Sequence, residues 1–437
     1  MWAFALRYRA AHLNEMVIPW RVRGPLRPDV LGEALTDLTR QHPTLRSRLS
    51  YQHGQLLQLV MPVEPVTVRV ASAEGETPDA RLRAAMAEIT GGAREHVDIL
   101  SGPTLIARLL PLGPDDHLLA LHVHHAMCDG WSIGIMLRDL VALYQARLAG
   151  TVCELPLLPE QYADVARREA ETYASGGFAE EIGYWQEKLA NLPPPLALPA
   201  IGARKGNRDW RSAEMFVKQP AAFMHGMREV TRQQRVSLFA LFVAALSVVL
   251  RHRSGRQDLL IGVPTLNRWT NESMQFVGYA TSMLPLRVRP ESGLAFNALC
   301  KQVNGSVREM LAYGRVPLEV LLRETPLAPL GNNVFPIWCQ YLEGRAVLAE
   351  SSAGLSFEPL PTERNSLLAE LDVDLAGFDD AWRCDMAYRQ SLFTAPMVSQ
   401  LMADLVATLE RVQQDATQPL DDLVLRLDSP AASSRAS

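Results

Sequence analysis

The sequence predicts a mixed α/β protein built from two lobes. The chain has 437 residues, which is long for a single hydrophobic core and suits two lobes of ordinary domain size. Strand periods and helix periods alternate in its first part. The strand patterns lie at residues 16–23, 55–60, 66–70 and 104–112, and the helix patterns follow Asp29 and span residues 79–89. This mixture favours an α/β sandwich for the first lobe.

Composition excludes several classes of function. The chain is 48% hydrophobic and 21% charged, which is typical of a globular protein. A formal net charge of -5 argues against nucleic acid as the main partner. No apolar run has membrane-spanning length, and no signal-peptide pattern opens the chain, so no membrane partner is expected. The five cysteines form no C-x-x-C pair and indicate a reducing compartment, so we expect a cytoplasmic protein.

The most informative stretch joins a predicted strand to a predicted helix. Residues 117–124 alternate apolar and polar, with Leu119, Leu121 and Val123 on one face, and this period predicts a half-buried strand. After residues 124–131, Ser132 is expected to be the N-cap of a helix. Connections of this kind often carry reactive side chains.

Two chemistries fit this stretch poorly. The segment around Ser132 matches the G-x-S-x-G elbow of serine hydrolases, but a loop separates it from the strand. The only later histidines, His225 and His252, lie in predicted helices. The histidines within residues 122–125, together with Asp129, offer metal-ligand groups, but their spacing matches no zinc motif. Both interpretations are disfavoured, and no metal site is predicted.

Two further interpretations differ in what the histidines do. In the first, His124 and His125 are hydrogen-bonded core residues, and Asp129 only caps a turn. In the second, a histidine takes a proton from an amine or hydroxyl that attacks a thioester, and Gly130 lets the backbone approach the reacting carbonyl. Two adjacent histidines followed by an aspartate and a glycine favour acyl transfer.

The run His124-His125-x-x-x-Asp129-Gly130-Trp131-Ser132 resembles the core motif of nonribosomal peptide synthetase condensation domains. Relatives throughout the chloramphenicol acetyltransferase-like superfamily share a motif of this kind. The motif alone therefore indicates the superfamily, and other stretches of the chain narrow the assignment.

Those stretches resemble further motifs of the same family, in family order. Residues 40–46 are similar to R-H-x-x-L-R, but Gln41 stands between the arginine and the histidine of that motif. Residues 277–287 align with V-G-x-F-V-N-T-L-x-x-R, but A-T-S-M replaces F-V-N-T where the family's channel is lined. Only Met1-Trp2 remains of the family's first motif, which leaves open a start upstream of Met1.

The resemblance covers nearly the whole chain and implies its architecture. Two chloramphenicol acetyltransferase-like lobes are expected to form a V-shaped pseudo-dimer with the active site in the cleft. We predict a first lobe at residues 1–175, which carries the histidine motif, and a second at 176–428. Residues 429–437 are predicted to be a disordered tail. The remaining length holds no adenylation or carrier module, so a free-standing condensation enzyme is expected.

The resemblance also implies which residues act on substrate. His125 is expected to be the catalytic base or to orient the nucleophile. Gly130 is expected to supply space and a backbone N–H near the developing oxyanion. The substrate channel is expected to be lined by Trp131, Ser132, Tyr279 and Ser282.

Other residues at the site are expected to be structural. His124 lies on the strand side of the motif, and the resemblance gives Arg46 a structural role. It also implies that Arg287 forms an ion pair with Asp129, which would make Asp129 structural rather than a proton acceptor.

The activity implied is transfer of an acyl group from a carrier-protein phosphopantetheinyl thioester to an amine or hydroxyl. An acyl or peptidyl carrier protein is the expected partner, no permanently bound cofactor is expected, and a monomer is expected. One alternative is a coenzyme A-dependent O- or N-acyltransferase of the same superfamily. Another is a catalytically silent domain that only recruits partners. An epimerising relative is disfavoured because the sequence reveals no second acid or base.

Overall fold

The structure is a computed structural model. It describes residues 14–52, 55–91, 96–153, 155–207, 209–343, 350–352, 354–362, 364–377 and 381–427. The predictions about Met1-Trp2 and about a tail at 429–437 lie outside these residues.

Strands and helices alternate along the described chain. The strands are β1 (Glu15–Arg23), β2 (Ser47–Gln52), β3 (Gln55–Val60), β4 (Val68–Val70), β5 (Leu105–Gly113), β6 (Asp116–His124), β7 (Ser212–Pro220), β8 (Leu259–Thr265), β9 (Ser282–Val288), β10 (Ile337–Glu343), β11 (Glu350–Ser352), β12 (Leu355–Pro359), β13 (Leu371–Gly377) and β14 (Ala381–Arg389). The α-helices are α1 (Pro28–Gln41), α2 (Pro78–Thr90), α3 (Gly130–Leu148), α4 (Tyr162–Ala174), α5 (Ala179–Lys188), α6 (Ala221–Gln234), α7 (Leu238–Ser254), α8 (Phe296–Ala312), α9 (Leu318–Glu324), α10 (Ala395–Gln414) and α11 (Leu420–Leu427).

The chain divides into two compact units that are not contiguous in sequence. Unit 1 comprises Met1–Glu171, Arg268–Thr281 and Ala346–Thr362. Unit 2 comprises Thr172–Asn267, Ser282–Arg345 and Glu363–Ser437. The predicted lobes, 1–175 and 176–428, differ from these units because two segments from the second half of the chain pack into unit 1. One of them contains β12, which pairs with β1, and such long-range pairing leaves no local sequence pattern.

Unit 1 is organised on a six-stranded sheet of order β11-β12-β1-β6-β5-β4. Its neighbours pair antiparallel, except that β4 and β5 run parallel. Strand β6 lies in the middle, between β1 and β5, and ends at His124. The site therefore begins at the end of a central strand.

Strand β6 is buried on both faces. Leu119, Leu121 and Val123 pack with residues of α1 and α3, whereas Leu118 and Ala120 pack with residues of α2. The prediction of a half-buried strand is therefore wrong: helices cover both faces, and the polar positions His122 and His124 are 0% and 1% exposed.

Unit 2 has its own six-stranded sheet, of order β7-β14-β13-β10-β8-β9. Apolar residues of α6, α7, α8 and α10 form one core with residues of these strands. Helix α7 is apolar on nearly all sides and begins after Ser237, whose hydroxyl accepts the Ala240 N–H. It is a core helix, as its sequence predicts. Among the described helices no single one could span a bilayer, although α6 and α7, a pair bent by 100°, have together the length and apolar composition of a broken span.

Candidate active site

A short loop between β6 and α3 carries the histidine motif. After His124 the chain forms a single 3-10 turn, His125–Met127, and α3 then begins at Gly130. Asp129 is the N-cap of α3: its Oδ1 accepts the Ser132 backbone N–H at 2.9 Å. The prediction that Ser132 caps this helix is wrong, because the aspartate three residues earlier accepts that hydrogen bond.

His124 shapes the turn that follows it. Its Nδ1 accepts the backbone N–H of Ala126 at 3.0 Å, so the neutral ring carries its proton on Nε2. The ring is buried at the end of β6. The hydrogen bond to Ala126 orders the first residues of the turn. Because the ring is buried, His124 has almost no surface that a substrate could contact.

His125 is held in the opposite tautomer. Its Nδ1 lies 2.8 Å from the carbonyl oxygen of Cys128. Because a carbonyl only accepts, Nδ1 carries the proton in the neutral ring, and Nε2 keeps a lone pair. The Tyr279 ring meets the imidazole edge-on, with centroids 5.3 Å apart and planes at 88°. Burial lowers the pKa of His125 below its usual value, so the ring is neutral near pH 7 and can accept a proton.

A buried ion pair joins Asp129 to the segment Arg268–Thr281. The Arg268 Nη2 lies 3.1 Å from each carboxylate oxygen of Asp129, and both side chains are fully buried. The Arg268 Nη1 donates to the carbonyls of Ser273 and Phe276 at 2.6 and 2.9 Å. The guanidinium also lies over the Phe276 ring, 4.3 Å from its centroid. Arg268 thus fixes both its own loop and the aspartate that caps α3.

Ser132 belongs to the same network. Its hydroxyl lies 2.7 Å from Asp129 Oδ1 and accepts the Gly278 N–H at 3.1 Å. The residue is fully buried. The structure therefore places Ser132 inside the packing around Asp129, which differs from its predicted place on a channel wall and gives no support to a serine nucleophile.

The predicted ion pair between Arg287 and Asp129 is wrong. Arg287 lies in β9 of unit 2, where it donates to both oxygens of Asp258 at 2.9 and 2.6 Å. It also donates to three backbone carbonyls, those of Lys188, Ala190 and Asn191. These acceptors use the guanidinium within unit 2, and Arg268 takes the place beside Asp129.

The remaining predicted residues are distributed over several elements. Gly130 is the exposed first residue of α3, and a Cβ built there meets nothing within 4 Å. Trp131 is 43% exposed, and its indole N–H donates to the Met274 carbonyl at 2.9 Å. Arg46 donates to the Thr39 carbonyl at 3.0 Å and so holds the chain that follows α1 against the end of that helix. Within unit 2, Ser282 opens β9.

Sequence reasoning missed Arg268 and Glu15. Arg268 lies in the loop after β8, where a buried cation leaves no periodic pattern in the sequence. The available signal was that the pair Asn267-Arg268 resembles the family's sequence at this point. Glu15 opens β1, and its side chain is 1% exposed. A lone glutamate at a strand start gives no sequence sign of burial. Among the described residues, no group of three His, Cys, Asp or Glu has the geometry of a metal site.

Comparisons with known proteins give the family. The Condensation domain model matches residues 1–432. Phosphinothricin tripeptide synthetase PhsC of Streptomyces viridochromogenes is 33% identical over 310 residues, covering 70% of this chain and 28% of that protein. Chondramide synthase cmdD of Chondromyces crocatus is 26% identical over 403 residues, covering 92% of this chain and 10% of that protein. The chain thus spans a small part of these relatives' length.

Solved structures share the fold. The X-domain from teicoplanin biosynthesis superposes with a TM-score of 0.85 at 22% identity, covering 96% of each chain. The first condensation domain of the calcium-dependent antibiotic synthetase, in complex with a substrate analogue, gives 0.78 at 19% identity and 96% of each chain. These likenesses confirm the predicted mixed helix and sheet fold of the chloramphenicol acetyltransferase type. The chain belongs to the condensation domain family of nonribosomal peptide synthetases.

Proposed function

We propose that this chain is an acyltransferase that joins a carrier-bound acyl group to an amine or hydroxyl nucleophile. The observation that carries the proposal is the orientation of His125. Its Nδ1–H is engaged by the Cys128 carbonyl, so the free lone pair is on Nε2, and burial lowers the pKa and keeps the ring neutral. A neutral, oriented imidazole is the group that general-base catalysis or nucleophile positioning requires.

The reaction forms one bond and breaks another. The nucleophile attacks the thioester carbonyl, a C–N or C–O bond forms, and negative charge gathers on the carbonyl oxygen. The C–S bond then breaks, and the proton lost by the nucleophile passes by way of His125 Nε2 to the phosphopantetheine sulfur. The products are an amide or ester and a free thiol, with no resident cofactor required.

Gly130 supports the step in two ways. As the first residue of α3 it has a backbone N–H outside the helix's own hydrogen-bond ladder, at the positive end of the helix dipole. Its missing side chain leaves open space that no neighbouring atom of the protein fills. Both features suit a carbonyl oxygen that gains charge beside the backbone.

The nucleophile can be an amine or an alcohol. Amides are the family's common product. Because A-T-S-M replaces F-V-N-T at residues 280–283, where the family's channel is lined, we propose an ester as the second possible product. Of the replaced positions, Ala280 contacts the site directly: its N–H donates to Asp129 Oδ2 at 3.1 Å. We propose that Trp131 and Tyr279 line the substrate path in unit 1.

The proposed partner is an acyl or peptidyl carrier protein, and the proposed compartment is the cytoplasm. The family model is that of a peptide synthetase domain, and this chain matches one part of a longer tripeptide synthetase. The five cysteines are free thiols, as a reducing compartment maintains.

A second candidate function is the recruitment of a partner protein. The teicoplanin X-domain forms a complex with OxyB, so a partner-recruiting role is the second candidate.

An intact-mass transfer assay tests the proposal. One acyl group is offered on a phosphopantetheinylated carrier protein and, separately, as its coenzyme A thioester, with a panel of amines and alcohols. Transfer from the carrier alone supports the proposal, and the productive nucleophile distinguishes amide from ester formation. Equal use of the coenzyme A thioester indicates a general acyltransferase. Absence of transfer by the wild type, together with capture of a partner protein, favours the recruiting role.

A further inference from the structure

Three ionisable side chains share one face of the unit 1 sheet beside the histidine motif. Glu15 of β1 lies directly opposite His124 of β6, and Val17 lies opposite His122. Residues opposite one another in a ladder share a face, as do alternate residues of one strand. Glu15, His122 and His124 therefore project to the same side of the sheet, the side covered by α2.

The Glu15 carboxylate is hydrogen-bonded to His96 and lies close to the His122 ring. Its Oε2 lies 2.5 Å from His96 Nδ1, and its Oε1 lies 3.5 Å from His122 Nδ1. The backbone N–H of Val97 donates to Oε1 at 3.4 Å. The Glu15 side chain is 1% exposed and that of His122 is 0% exposed, whereas that of His96 is 42% exposed.

A carboxylate buried to this degree is costly unless charged or polar groups surround it. Glu15 therefore holds the chain at His96–Val97 through hydrogen bonds, and it lies against the buried His122 ring, whose Nδ1 is 3.5 Å away. His122 is two residues before His124 on the same face. The His124 ring in turn accepts the Ala126 N–H that orders the turn carrying His125.

We propose that Glu15 is a positioning residue of the active site. Its carboxylate packs against His122, which precedes His124 by two residues on the same face of β6, and through this strand end it positions the turn that carries His125. This role rests on the proposed acyl transfer, because positioning has a kinetic meaning only if His125 serves that reaction. Glu15 itself touches no reacting atom.

The test combines kinetics with a spectroscopic measurement that does not need activity. Glu15→Gln keeps the shape of the side chain and removes its charge. Glu358→Gln is the matched control, since Glu358 forms a half-exposed pair with Arg23 at the opposite end of β1. Long-range 1H–15N spectra of histidine-labelled protein report which ring nitrogen of each histidine carries the proton.

In the wild type we expect His124 protonated at Nε2 and His125 at Nδ1. In Glu15→Gln both rings are expected to show mixed tautomers, and kcat for transfer is expected to fall roughly 10- to 100-fold with KM within about twofold. Glu358→Gln is expected to match the wild type in both measurements. His96→Ala changes only a half-exposed partner, so it provides a second variant if Glu15→Gln does not fold, and the same tautomer change is expected at smaller amplitude.

Wild-type tautomers and unchanged kcat in folded Glu15→Gln would overturn the positioning role. Unchanged tautomers with raised KM alone would also overturn it. Failure of the proposed function is distinguishable: a wild type that transfers no acyl group contradicts acyl transfer, while the tautomer comparison still tests whether Glu15 orders the loop.

Discussion

Arg268 lies with one guanidinium nitrogen 3.1 Å from each carboxylate oxygen of Asp129, and neither side chain has exposed surface. The pair holds a segment from the second half of the chain against the loop that bears His125. Asp129 simultaneously caps α3 through the Ser132 N–H. One carboxylate thus fixes the start of α3, the segment Arg268–Thr281 and the loop that bears His125.

Breaking this pair is expected to destabilise the protein strongly. Asp129→Asn leaves the Arg268 guanidinium buried without its counter-charge, and losing one partner of a buried pair costs about 3–5 kcal/mol. Denaturant unfolding measures the change. The control, Arg23→Met, breaks the half-exposed Arg23–Glu358 pair and is expected to cost less than about 1 kcal/mol. Equal costs for the two variants would contradict the structural role of Asp129.

The Ser132→Ala variant separates a structural serine from a nucleophile. Without the hydroxyl, the buried Gly278 N–H loses its acceptor, which is expected to destabilise the protein by about 1–3 kcal/mol. Acyl transfer is expected to persist in the folded variant. An acylated form of the wild type that carries its acyl group on Ser132, observed by peptide mass mapping, would instead support the hydrolase-type chemistry.

Gly130→Ala tests whether the open space at the start of α3 serves substrate. Stability is expected to stay equal or to rise by less than about 1 kcal/mol, because alanine favours helix and meets no neighbour. Transfer is expected to fall, since the added methyl group enters the space proposed for the carbonyl. Gly305→Ala in α8, where a Cβ also meets nothing within 4 Å, is the control and is expected to leave transfer unchanged.

The pH profile reports the state of His125. Burial lowers the pKa of this histidine, so its neutral, proton-accepting form persists below the usual value of 6.5. The acid limb of kcat/KM is therefore expected below pH 6.5, with activity lost as the ring becomes protonated. An acid limb that lies clearly above the usual histidine pKa would show that another group controls the reaction.

Local periodicity predicted most elements of unit 1. The strand expected at residues 55–60 is β3, and those expected at 16–23 and 104–112 are β1 and β5 within one residue at each end. The helix expected at 79–89 is α2, one residue longer at each end. These segments were predictable because each is a run of strand or helix character bounded by turn residues.

Long-range contacts were not predictable in the same way. The family resemblance led to Arg287 for the partner of Asp129, but a single sequence does not show which of several arginines a fold brings to one carboxylate. The burial of His122 depends on α2, which covers the face of β6 that carries Leu118, Ala120 and His122. Likewise, β12 joins the unit 1 sheet by pairing with β1, a strand near the other end of the chain, as in Trp20 opposite Pro359.

His125 is proposed to serve acyl transfer from a carrier thioester, and a single-turnover experiment tests this role most directly. Acyl-loaded carrier protein and a productive nucleophile are mixed with excess wild type, His125→Ala or His225→Ala, and intact mass follows the carrier. His225 is an exposed histidine of α6 and controls for the loss of an imidazole. We expect His125→Ala to slow transfer by roughly 100- to 10,000-fold while His225→Ala matches the wild type. Transfer by folded His125→Ala at the wild-type rate would contradict the proposed role of His125.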